Sequence, residues 1–360
     1  MLIFALAMKK IVFGLLGLVM IISCGRPQSR KPVRSEFRND VVIKTTPVLD
    51  QGRSPLCWAY AMLATIESEH LMQGDSVHLS VDYLARMLLR DEATHYYFCR
   101  SDGRISLRGM ASMVFDLMAM YGMLPYDSYY NNVSVDYPVV ARTVQQIARA
   151  STSLRTLNER VDKSLDEQIG YLPGTIMMLG ARYTPIEFAH SVCRPEEYLS
   201  LTSFTHHPFG KPFILEVPDN QMRDYFLNIP IDTLMHTIVE ALKSGHPVCW
   251  EGDISEPGFD FQRGVAVLQN GKADYDQFDR QRAFETFRTT DDHCMELCGL
   301  AHDRQGHRFF IAKNSWGNGN RFDGFMYLSY QYVKLKTIAV YLSKEAMGKM
   351  ACQHDGEKSL

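Results

Sequence analysis

The chain has 360 residues, 46% hydrophobic and 22% charged, enough to bury a substantial core in one large domain or two. Its formal net charge of -3 provides no basic field for nucleic acid. Neither a glycine-rich phosphate loop nor a His-Glu-x-x-His helix occurs, so nucleotide binding and zincin chemistry have no support.

Residues 1–23 read as a signal peptide. Lys9 and Lys10 precede an apolar run from Ile11 to Ile22, too short to cross a bilayer comfortably but suited to a signal core. Met1 and Met8 are both candidate starts. The run closes in Ile21-Ile22-Ser23-Cys24-Gly25, which resembles the lipid-attachment box of bacterial lipoproteins. An ordinary signal peptide with an incidental cysteine is the alternative. The resemblance implies lipidation at Cys24, export and a membrane anchor on a periplasmic or cell-surface face. Residues 24–40 are polar and basic and read as a tether, so a folded domain is expected over 41–345, with a tail at 346–360.

In QGRSPLCWAYAMLATIESEH, residues 51–70, Ser54 is a candidate N-cap and Pro55 suits a first helical position. Trp58, Met62 and Ile66 supply an apolar face, and Cys57 falls in the first turn. A thiol there lies near unpaired amides at the positive end of the helix dipole, which favours the thiolate. A lone cysteine is nonetheless more often a small buried hydrophobe.

Residues 41–125 are expected to be mainly helical, with Leu84, Leu88 and Leu89 on one face and a stop at Gly122 and Pro125. The periodicity of Val140, Val144, Ile147, Leu154, Leu157, Val161, Leu165 and Ile169 predicts one long helix from Pro138 to Gly170. A further helix from Asp232 to Ser244 stops at Gly245 and Pro247 and hands over to a strand at Val248-Cys249-Trp250. Residues 291–329 predict two strands around a turn at Asp303 to Gly306. His293 opens the first strand and Asn314 closes the second, so antiparallel pairing can set imidazole and carboxamide side by side. Nucleophile, base and orienting group are then all available, with Cys57 the nucleophile 236 residues upstream of the histidine.

Three pieces in order resemble the papain-like cysteine peptidases: Gln51 followed by Cys57-Trp58-Ala59, His293 opening a Cys-Met-Glu-Leu-Cys-Gly strand, and Lys313-Asn314-Ser315-Trp316-Gly317. The segments 229–254 and 279–293 are most similar to the bleomycin hydrolase and aminopeptidase C branch. Papain and cathepsins separate cysteine and histidine by about 130–150 residues, so roughly 90–100 residues are inserted here.

The resemblance implies an α+β fold, with a helical half over about 41–125 and a β-barrel-like half over about 246–345. A largely helical insertion at about 126–228 joins them, and the active site lies in the cleft between the halves. It implies that Cys57 attacks a peptide carbonyl, that His293 protonates the leaving amine and that Asn314 orients the imidazole. The Gln51 side chain and the Cys57 amide would hold the oxyanion, with Trp316 covering the histidine–asparagine contact and Trp58 in support. Taken singly, Gln51 is a solvated loop residue, Asn314 a turn former and Trp316 a core aromatic. Pro55 and Leu56 depart from the papain signature next to the nucleophile, and the adjacent disulfide cysteine is missing.

The substrate expected is a peptide or protein, with no cofactor and no nucleic acid, and a homo-oligomer is left open. An inactive surface-anchored binding module and an amidase or acyltransferase with the same triad are the alternatives. Cys294, Cys298 and His302 are not expected to bind metal, because positions 294 and 298 on a strand lie about 13 Å apart. Cys249 and Cys298 are expected as buried thiols, with disulfide pairing open. His206 and His207 receive no role. In this branch the C-terminal arm lies in the cleft and favours aminopeptidase action. The polar tail here leaves exopeptidase and endopeptidase action both open.

Overall fold

The computed structural model describes residues 36–99, 103–131, 135–178, 180–269 and 271–347. The expected signal peptide, the expected lipidation residue Cys24 and nearly all of the expected tail lie outside the described residues. Strand β1 (Phe37–Val42) opens the fold four residues before Val41, because it pairs antiparallel with a later strand and Phe37 buries its ring.

Helix α1 (Cys57–Met72) begins at Cys57. Ser54 is not its N-cap, and Pro55 lies outside it. The Ser54 hydroxyl donates instead to Gln51 O at 2.7 Å, folding residues 51–54 into a tight turn and placing the helix start two residues after Pro55. Leu56 occupies the cap position without a side-chain bond. Helices α2 (Val81–Cys99) and α3 (Met113–Tyr121) complete a helical core in which Trp58 is fully enclosed. Glycine122 ends α3 at φ +81, where backbone of Pro185 and Ile186 leaves no room for a Cβ.

The long helix expected over 138–170 is two, α4 (Tyr137–Ala150) and α5 (Leu154–Gln168). The apolar period runs on through both, but Ser151 takes an extended backbone and the Ser153 hydroxyl accepts from Thr156 N, capping a new helix. A small hairpin, β2 (Ile176–Met178) with β3 (Ala181–Tyr183), and helix α6 (Pro185–Val192) follow. Beyond them, after one short 3-10 turn at Pro195–Glu197, the insertion turns to strands. Strands β4 (Tyr198–Thr202), β5 (Pro212–Ile214) and β6 (Tyr225–Asn228) extend the main sheet at one edge.

The β-rich half contains α7 (Ile231–Lys243), β7 (Val248–Gly252), β8 (Phe259–Asp260), β9 (Val265–Ala266) and α8 (Gln277–Glu285). It continues through β10 (His293–Asp303), β11 (Arg308–Lys313), β12 (Phe325–Ser329), α9 (Tyr330–Lys336) and β13 (Thr337–Ser343). The sheet order is β5-β6-β4-β13-β7-β10-β11-β12-β9-β8, with β1 added on β10. Among the described residues this sheet is open, ending at β5 and β8, so the expected barrel-like half is not a closed barrel.

Side-chain alternation on β7 divides the molecule. Val248 and Trp250 face a core shared with α7, whereas Cys249 faces the helical core with Cys294, Ala339 and Tyr341. Helix α1 packs across β10 and β7 on that second face. Its N-terminus therefore meets the starts of β10 and the ends of β7 at one end of the sheet. None of the helices among the described residues is long and apolar enough to cross a membrane.

Candidate active site

Cys57 is the first residue of α1 and is half-buried at the floor of a cleft of about 540 Å³. Gln51, Arg108, Asp219, Glu251, Asp291, His293, Cys294 and Trp316 also line this cleft. The sequence segments that carry them are far apart, and the β10–β7 pairing draws several together: His293 opposes Gly252, and Cys294 opposes Glu251.

His293 opens β10, and Asn314 follows the last residue of β11, so the hairpin register sets both at one end. Imidazole Nε2 and Asn314 Oδ1 lie 2.8 Å apart, with both residues buried. The same Oδ1 accepts from Ser315 N at 2.8 Å, and Asn314 Nδ2 points to the Met326 sulfur at 3.7 Å, which fixes the carboxamide. Trp316 lies over the imidazole, ring centroids 4.8 Å apart, and is held edge-on by Phe259 and Phe261. This apolar cover keeps water from competing for the histidine–asparagine bond.

Gln51 is tied to the same strand end. Its backbone N donates to Ser315 O at 2.8 Å, and its Oε1 accepts from Ser315 Oγ at 2.6 Å. Its Nε2 group donates one hydrogen to Ser54 O at 2.8 Å and retains a second. Trp58 is away from the cleft surface, where its indole N–H donates to Leu107 O at 2.9 Å.

The Cys294 thiol, donating to the Cys57 sulfur, and then the His293 imidazole hold the Cys57 thiol well below its ordinary range, against the burial that raises it. Burial raises Cys294 itself. Cys249 and Cys298 are buried free thiols, and all six cysteines in the described residues are unpaired. Burial likewise raises Asp291, Asp292 and Glu251, Asp292 to about 6.

Sequence reasoning named Gln51, Cys57, His293, Asn314 and Trp316 and missed the rest of the lining. Glu251 carried a signal, a carboxylate directly after the fully buried run Val248-Cys249-Trp250. Arg108, Asp219 and Asp291 lie in loops with no pattern to mark them. His206 and His207, given no role, both contact the Glu216 carboxylate, at 3.1 and 2.7 Å.

Residues 179–356 match the model of the Peptidase C1-like family. The chain is 22% identical over 371 residues to "Aminopeptidase G" of Lactobacillus delbrueckii subsp. lactis, covering 85% of this chain and 83% of that one. Among solved structures it is similar to PepW from Lactobacillus rhamnosis HN001, with a TM-score of 0.67 and 17% identity over 89% of this chain and 86% of that one. The family match and the relative support a papain-like cysteine peptidase of the bleomycin hydrolase and aminopeptidase C branch, and the solved structure shows the shared fold.

Proposed function

We infer that Cys57, His293, Asn314 and Gln51 carry peptide-bond hydrolysis and that the enzyme works from the amino terminus of its substrate. The observation that carries the first part is the convergence of a thiol at a helix start with a buried, asparagine-bonded imidazole in one cleft. The named relative, an aminopeptidase, supports the second.

With Nε2 engaged by Asn314, Nδ1 is the ring nitrogen left to exchange a proton with Cys57. The thiolate attacks the carbonyl carbon, forming a C–S bond and a tetrahedral oxyanion. The Gln51 Nε2 group and the Cys57 backbone amide stabilise that charge as it develops. Collapse breaks the C–N bond while His293 gives its proton to the leaving amine. His293 then takes a proton from water, whose oxygen attacks the thioester. Loss of the acid product restores the Cys57 thiolate.

The test is a digest of an unblocked decapeptide followed by mass spectrometry. Stepwise release of single residues from the amino terminus is expected. Internal fragments at early times would refute end-directed action and leave the peptidase chemistry standing.

The proposal extends to location, supported by Lys9, Lys10, the apolar run and Ile21-Ile22-Ser23-Cys24. In a bacterial host the wild-type chain is expected in the detergent phase of a membrane extract, and Cys24→Ala in the aqueous phase or unprocessed. Equal detergent partitioning of the two would rule out lipid attachment at Cys24.

A further inference from the structure

The lining of the catalytic cleft contains two acids that the hydrolytic steps do not use. Glu251 is the fourth of the five residues of β7, and alternation turns its side chain to the same face as Cys249, toward the start of α1. It is only 1% exposed. Its Oε2 accepts from the Tyr341 hydroxyl at 2.6 Å and from Ala111 N at 3.5 Å, while its Oε1 is buried without a hydrogen-bond partner among the described residues. Asp291 Oδ2 is buried and receives no hydrogen from any other group among the described residues either, so the partner left to each carboxyl is the other, through a proton the two share. Both residues line the cleft with Cys57 and His293.

The nearest cation does not answer these carboxylates. Arg108 is the one Lys or Arg in the cleft lining, and its guanidinium is committed to Asp219, with Nε at 2.9 and 3.0 Å from the two oxygens and Nη2 at 2.8 Å. It reaches Asp291 only at the backbone carbonyl, at 3.3 Å. Two adjacent buried carboxyls cannot both be charged without a cation: burial raises both, Glu251 raises Asp291 further, and the hydrogen bond from Asp291 acts the other way on Glu251. Burying such a pair is costly, and a purely structural position would be filled more stably by apolar side chains. A cleft that withholds a counter-charge from two acids beside its nucleophile is arranged for a ligand that brings one.

We propose that Glu251 and Asp291 form the subsite that receives a positive charge of the substrate, on the acyl side of the bond that Cys57 attacks. This rests on the peptidase reading and deepens it by naming the chemical class taken: peptides with an ammonium or guanidinium group close to the scissile carbonyl. Two sources supply that chemistry. One is the free α-ammonium of an amino-terminal residue, and the other is a lysine or arginine side chain one residue further from the bond. When the cation enters, it takes the place of the shared proton, and the unpartnered Oε1 and Oδ2 atoms accept its hydrogens as charge-assisted bonds.

The experiment compares kcat/KM on alanyl-, propionyl-, acetyl-arginyl-alanyl- and acetyl-norleucyl-alanyl-aminomethylcoumarin. Propionyl is alanyl without its ammonium, and norleucine removes the guanidinium while keeping an unbranched side chain. The wild-type enzyme is expected to favour the charged member of at least one pair by about ten- to a hundred-fold, the worth of a bond to a charged group. The alanyl–propionyl pair reads the α-ammonium, and the arginyl–norleucyl pair reads the side chain. Glu251→Gln and Asp291→Asn are each expected to erase the preference, lowering the charged substrate and sparing the neutral one. Asp291→Asn is the variant that decides if Glu251→Gln does not fold, because Asp291 lies in a loop and not in the central sheet. Equal rates on charged and neutral substrates, or a preference that survives in Asp291→Asn, would overturn the proposal.

Failure of the peptidase reading is a separate result. If no substrate is cleaved, alanine amide, propionamide, acetyl-arginyl-alanine amide and acetyl-norleucyl-alanine amide are titrated calorimetrically into Cys57→Ala protein. Tighter binding of the cationic member of a pair, lost on adding Asp291→Asn, supports the subsite without turnover, and equal affinities within both pairs refute it.

Discussion

Replacing Cys57 with alanine is expected to lower peptide hydrolysis by about 10⁵- to 10⁶-fold, the scale seen when a covalent nucleophile is removed from a site whose parts act as a unit. Folding is expected to be unchanged, since Cys57 is half-buried at the first position of α1 and the helix core begins at Trp58. A peptidyl electrophile directed at thiols labels the wild-type protein and not the mutant. The pH dependence of labelling gives a second reading. Because Cys294 and His293 hold the Cys57 thiol well below its ordinary range, the alkylation rate is expected to hold at pH values where an ordinary thiol is protonated and to fall on further acidification. An ordinary thiol would gain reactivity only above about pH 8.5. A labelling rate that rises through that alkaline range, or hydrolysis by the mutant at the wild-type rate, would remove Cys57 from the mechanism.

Gln51→Ala is expected to reduce kcat by about a hundred- to a thousand-fold with little change in KM, the pattern left when a donor acts on the oxyanion and not on the ground-state carbonyl. The backbone bond from Gln51 N to Ser315 O survives the substitution, so the 51–54 turn keeps its tie to the strand end. The loss of Oε1 leaves the buried Ser315 hydroxyl without that acceptor, a cost that falls on stability and not on the oxyanion site. Steady-state kinetics on an aminoacyl amide is the measurement. A rise in KM at constant kcat would assign Gln51 to substrate binding, and unchanged constants would remove it from the oxyanion site.

Much of this site was legible in the sequence because its signals are local. The turn at Asp303 to Gly306 and the alternation of Phe309 to Lys313 define a hairpin, and a hairpin's register follows from its turn. That is sufficient to set His293 and Asn314 at one end before any tertiary contact is known. Cys57 was marked by its place at a helix start, and Gly245 with Pro247 marked where α7 stops. Ser54 and the single long helix failed for one reason: hydroxyl groups choose between local partners of similar strength. Ser54 bonded back to Gln51 O, and Ser153 capped a helix the apolar period would have continued through.

What the sequence by itself determined is therefore the helix and hairpin inventory, the order nucleophile, base and orienting amide, and the family to which that order points. Only the tertiary structure decided which way the sheet grows, since strand pairing between segments distant in sequence depends on faces and edges that no local pattern encodes. The strands β4, β5 and β6 of the insertion joined it as an edge, and it stayed open among the described residues. The same long-range pairing set Glu251 opposite Cys294 and left its carboxylate facing Asp291 beside the nucleophile. Two acids 40 residues apart carry no mark of their meeting, because the cost of burying them arises only once β7, β10 and α1 have closed around them.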